Sequence, residues 1–232
     1  MDLIVMRFIL LIFALMAPSL AVAESGKTLR CVTTHYPPYT IFDEQKNIFT
    51  GSDIELINYL NQSLGLNIKV IHLPWARVKK EMTLNYYDCY FSLATNTLRE
   101  KHLEFTQHPT HVTKFGLFAL DKSTLNNKDF SSTRIAMLRG VALPNEIADK
   151  YKILPKNIMH ALSTSDSFKL LEKKRVDFII TNYQAGLWFA KNSVGIHARQ
   201  FHESSLPVYI AFKPGVVDIN LIDKQIKQYY EQ

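Results

Sequence analysis

The sequence predicts an α/β protein whose parallel sheets are flanked by helices and whose chain is divided between two lobes. Short runs rich in Val, Ile, Leu and aromatic residues alternate with segments whose apolar residues recur every three or four positions, which is the pattern of βαβ units. No Pro/Gly/Ser-rich spacer interrupts the chain, so lobes joined by short crossovers fit better than domains on a tether. No segment after the amino terminus is apolar enough to span a bilayer.

The amino terminus reads as a cleavable signal peptide over residues 1–23. Its apolar core from Ile9 to Met16 is too short for a comfortable membrane span, and the small-residue site Ala21-Val22-Ala23 follows it. This reading holds whether synthesis starts at Met1 or at Met6, and without a Cys at the cleavage site no lipid anchor is expected. Residues 24–232 would then be the mature, exported chain. With 27 Lys and Arg against 21 Asp and Glu, the net charge of +6 suits an acidic ligand or simple solubility. The basic residues are scattered rather than interleaved with aromatics, which argues against nucleic acid.

Strand and helix alternate from Leu29. Leu29 to Thr34 reads as a strand, Asp53 to Gly65 as a helix with Ile54, Ile57, Leu60 and Leu64 on one face, and Asn67 to Leu73 as a strand. A helix over Trp75 to Leu84 and a strand over Asp88 to Ala94 complete the first unit, and Lys114 to Leu120 leaves it. A second unit takes strands at Arg134 to Leu138 and Val176 to Ile180, with helices at Pro144 to Tyr151, Asp166 to Lys174 and Gln184 to Lys191. The strand from Val208 to Lys213 and a helix from about Asp218 return to the first unit.

Chemistry concentrates where the strand Cys89 to Ala94 breaks into Thr95-Asn96-Thr97-Leu98-Arg99, polar residues at the carboxyl edge of a sheet. Arg99 there offers a planar fork of donors to a carboxylate. Cys31 and Cys89 sit near the starts of two strands and are equally consistent with a disulfide and with two buried thiols. With no Cys-x-x-Cys and no His-Glu-x-x-His, no metal or other cofactor is expected, and no Gly-x-Ser-x-Gly elbow marks a hydrolase.

In order and spacing, Tyr36-Pro37-Pro38-Tyr39, Gly51-Ser52-Asp53-Ile54-Glu55-Leu56, Leu73-Pro74-Trp75, Tyr87-Asp88-Cys89-Tyr90 and Thr97-Leu98-Arg99 through Phe105 resemble periplasmic solute-binding protein family 3, the polar amino-acid-binding group. The resemblance implies a type II periplasmic binding protein fold with two lobes on two hinge strands, lobe 1 from residues 24–111 and 206–232, lobe 2 from 112–205. It implies a receptor, expected to be a monomer, that captures a small carboxylate-bearing ligand in the cleft and hands it to an ABC permease in the inner membrane, or alternatively reports it to a sensor kinase.

The carry-over puts Arg99 on the family's carboxylate clamp, with Ser92, Ala94 and Asn96 near it and Tyr36, Tyr39 and Trp75 as aromatic walls. Two positions depart from the pattern. Gly140-Val141-Ala142 replaces Gly-Ser/Thr-Thr, leaving only backbone N–H groups at an expected helix start, and Asn182 stands where the family's ammonium-binding aspartate belongs. An Asn accepts a hydrogen bond but supplies no charge, so a standard α-amino acid is disfavoured against an organic acid, an acylated or cyclic amino acid or a short peptide. A dehydratase shares this fold, but Asn182, Val141 and Ala142 cannot transfer protons, so no enzymatic activity is expected. His108, His111, His197 and His202 read as hinge or surface histidines, and Asp177 as a capping or salt-bridging residue.

Overall fold

The structure is a computed structural model that describes residues 27–231 except Asn85, Asn192 and Ser204; the expected signal peptide lies outside the described residues. Two sheets organise it. The first has the order β4-β1-β5-β13-β6, built from β1 (Thr28–Thr33), β4 (Asn67–His72), β5 (Cys89–Leu93), β6 (Glu104–Phe105) and β13 (Leu206–Phe212). Strands β4, β1 and β5 run parallel, and β13 pairs antiparallel with β5 and β6.

The second sheet has the order β10-β9-β11-β8-β12, from β8 (Phe115–Ala119), β9 (Ile135–Leu138), β10 (Ile158–Ala161), β11 (Phe178–Asn182) and β12 (His197–Gln200). The chain passes between the sheets at two places. Strand β7 (His111–Thr113) leads into β8, and the start of β13 pairs with β7 through Leu206, Pro207 and Val208. This antiparallel pair is the hinge, and β13 carries the chain back into the first sheet.

Both faces of the first sheet are buried, as parallel strands require. Cys31, Cys89, Phe91 and Phe212 meet α1 (Ser52–Leu64), through Leu56, Ile57 and Leu60, and α7 (Ile219–Tyr230), through Ile222 and Ile226. Val32, Tyr90 and Ala211 face the other way, onto Val78 and Met82 of α2 (Trp75–Leu84). Gly51 opens α1 at φ 107°, and a Cβ there would lie 2.4 Å from the Tyr39 carbonyl oxygen, so only glycine fits that entry. Cys31 and Cys89 are exact cross-strand partners in β1 and β5 and form a disulfide, with Cα atoms 4.4 Å apart.

The second lobe adds α4 (Asn145–Lys150), α5 (Thr164–Glu172) and α6 (Tyr183–Ala190), after the short α3 (Thr97–Glu100) of the first. Asp177 bonds the Arg134 guanidinium at 2.7 Å, the salt-bridging role expected of it. Three features depart from the sequence reading. Ile158–Ala161 forms β10, His197–Gln200 is an edge strand rather than a polar connection, and Ile41–Asp43 with Ile48–Thr50 makes a hairpin, β2 and β3, outside both main sheets. Each is four residues or fewer, with alternation too brief to read in the sequence.

Candidate functional site

A cavity of about 460 Å³ lies between the lobes, a volume suited to a small ligand. On the first lobe its wall forms where β5 ends. Ser92 adopts φ 56°, and opposite it the pairing with β13 slips between Tyr209 and Ala211. The break in alternation sends Leu93 to the Tyr90 side instead of the Phe91 side. It also directs the Ser92 hydroxyl to the carboxylate of Asp53, which is buried at 4% exposure and further held by Thr40 Oγ1 at 3.1 Å and His111 Nδ1 at 3.5 Å.

The next residues aim Arg99. Asn96 caps α3 by accepting the Arg99 backbone N–H at 2.9 Å. Arg99 Nη1 donates to the Ala94 carbonyl at 2.5 Å, and the guanidinium lies 5.5 Å from the centre of the Trp75 ring. Burial alone lowers its pKa, the direction expected of a cation partly stripped of water.

Tyr36, Trp75, Ser92, Ala94, Asn96 and Arg99 all line the cavity on the first-lobe side, and Val141, Ala142 and Asn182 line it on the other. Tyr39 does not line it. Its ring stacks on His111 with centroids 3.6 Å apart, and its carbonyl accepts the Asp53 N–H at 3.0 Å. Burial, then Tyr39, pushes the Tyr36 phenol far above its ordinary pKa, against the Thr113 and Asn182 side chains nearby.

One expectation about the second lobe is corrected. Val141 and Ala142 are not at a helix start: α4 begins at Asn145, and the Val141 N–H already donates to Leu138 O at 3.1 Å. Asn182 lines the cavity with its Oδ1 already capping α6 by accepting the Ala185 N–H at 2.9 Å, while its buried Nδ2 has no acceptor.

Several wall residues escaped the sequence reading: Lys79, Lys114, His35 and His102. Lys79 stands one helical turn after Trp75, a spacing that could have placed it on the same face of α2, and its Nζ reaches across the cleft to the Gly140 carbonyl at 3.1 Å. His35 Nδ1 accepts the Phe42 N–H at 3.0 Å, and its ring meets Trp188 and Phe189 of the second lobe edge-on at 5.7 and 5.9 Å. Its pKa is lowered, chiefly by burial and then by His72, with Glu44 opposing. Among the described residues no Asp or Glu lines the cavity, whereas Lys79, Arg99 and Lys114 do. Nor, among them, do three or more His, Cys, Asp or Glu gather as a metal would require.

Residues 29–137 match the family described as bacterial extracellular solute-binding proteins, family 3. The L-cystine-binding protein TcyA of Bacillus subtilis strain 168 is 22% identical over 203 residues, 84% of this chain and 73% of that one. Among solved structures, the ancestral amino acid-binding protein AncCDT-1, a precursor of cyclohexadienyl dehydratase, superposes at TM-score 0.71 with 20% identity, covering 88% of this chain and 90% of its own. The arginine-bound, truncated ArgBP of T. maritima gives 0.73 at 16% identity, over 87% and 96%. A histidine kinase sensor domain with similarity to periplasmic binding proteins gives 0.75 at 14%, over 90% and 92%. At these identities the likeness establishes the fold, the two-lobed architecture of type II periplasmic binding proteins.

Proposed function

We propose that the chain, whose residues 29–137 match family 3 of the bacterial extracellular solute-binding proteins, captures a small carboxylate-bearing ligand between its lobes, with Arg99 as the anchor. The observation that carries this reading is Arg99 itself: partly buried, held by Ala94 and Asn96, and facing a cavity lined by no acid among the described residues. Four of its five N–H donors remain for a ligand after the bond to Ala94. Ser92, Ala94, Asn96, Tyr36, Trp75, Val141, Ala142 and Asn182 complete the ligand-contacting set. The lobes would be residues 24–111 with 206–232, and 112–205, turning about the β7–β13 hinge. A ligand bridging both lobes binds the closed form better and so shifts the population toward it.

Export by the signal peptide, residence in the periplasm and delivery to an ABC permease complete the reading; it is binding without chemistry, by a monomer. A role in sensing is favoured by one observation, the likeness to the histidine kinase sensor domain. The test is a thermal-shift and calorimetric screen of carboxylates against the mature chain and Arg99→Ala. A ligand at a hundred times its Kd adds about 2.7 kcal/mol to stability. That gain should vanish in Arg99→Ala, and stabilisation that survives the substitution would overturn the anchor.

A further inference from the structure

Resting on the carboxylate reading above, we infer that the ligand carries oxygen anions at both ends and is a dicarboxylate with an apolar spine. The cavity has two donor poles on opposite lobes. At the first, Arg99 lies 5.5 Å from the Trp75 ring centre, and the buried Trp75 Nε1–H has no acceptor. At the second, Asn182 is the last residue of β11: its Oδ1 accepts the Ala185 N–H, and its buried Nδ2–H has no acceptor in good geometry, with the Tyr36 hydroxyl nearby. Lys114 stands beside it: its carbonyl accepts the Tyr183 N–H at 2.8 Å, and the residue lines the same cavity.

A buried donor left without an acceptor costs about 1–3 kcal/mol, so the occupant that suits both poles supplies acceptor oxygens to each. An ammonium there would meet the Nδ2–H donor beside a lysine, with no acid on the wall among the described residues to balance its charge. Phe91, Leu138, Val141 and Ile180 line the cavity as well, which suits a hydrocarbon spine better than a polyhydroxylated or phosphorylated one. Because one carboxylate meets the first lobe and the other the second, such a ligand holds the cleft closed.

The experiment is isothermal titration of the mature protein with straight-chain dicarboxylates of three to eight carbons, their half-amides, matched monocarboxylates and the corresponding α-amino acids. Variants Asn182→Asp, which keeps a cap for α6 while replacing the donor by an acceptor, and Lys114→Met accompany the parent. At least one dicarboxylate should bind tenfold or more tighter than its matched monocarboxylate, and both variants should erase that advantage. Equal or tighter binding of the monocarboxylates or of α-amino acids would overturn the dicarboxylate and leave the Arg99 anchor standing. An absence of binding by every carboxylate would overturn both.

Discussion

Asp223 illustrates how one carboxylate ties distant segments together. On α7, at 8% exposure, it accepts the Gln107 and His108 backbone N–H groups, each at 2.7 Å, and meets His108 Nδ1 at 2.6 Å, next to the hinge. Burial pushes its pKa up, but the hydrogen bonds from His108 and Gln107 outweigh burial and hold it below the ordinary 3.8. A depressed carboxylate contributes stability above its unfolded pKa and loses it as pH falls through the folded value. Asp223→Asn should therefore lower stability by about 2 kcal/mol at pH 7, with the gap narrowing below pH ~4, as read from urea midpoints along a pH series. The same scale shows why Asn182 was only half legible: its identity marked the departure from the family aspartate, while its cap on α6 decided which of its polar ends was left over.

Among elements, β1 and β5 show pattern and pairing converging. The apolar runs announced two strands, but neither announced that Cys31 and Cys89 would fall exactly opposite, since register is a property of the pair. The bridge closes a separation of 58 residues through the core of the first lobe, and both residues are fully buried. Replacing both by Ala should cost about 2–4 kcal/mol, measured by guanidinium unfolding, and a loss below ~0.5 kcal/mol would show that the bridge adds little. The helices α1 and α2 were readable nearly to the residue from their 3.6 periodicity, whereas β10 and β12 were not, being short strands placed by their neighbours in the sheet.

At the scale of the molecule, side chains from the two lobes meet across the cleft. Lys79 to the Gly140 carbonyl is one such contact, and His35 against Trp188 and Phe189 is another. Gly140 holds φ +86°, and an added Cβ would sit 3.3 Å from the Lys79 side chain and 3.5 Å from Trp75. Gly140→Ala should therefore weaken ligand binding about tenfold by depleting the closed form, with a larger radius of gyration in ligand-bound small-angle scattering. Gly215→Ala is the control: it has φ +73° and open space around it, so it shares the backbone strain without the crowding and should leave affinity unchanged.

The sequence by itself determined the α/β alternation, the two-unit order, and a polar strand end with an arginine, because these follow from local periodicity and residue chemistry. Only the tertiary structure decided that Ser92 turns into the left-handed region toward Asp53, that Tyr39 stacks on His111 away from the cavity, and that Lys79 and Lys114 join Arg99 around it. Those outcomes depend on which hydrogen-bonding groups are already taken and on which residues face one another across the cleft, and both are set by strands and helices far apart in the chain.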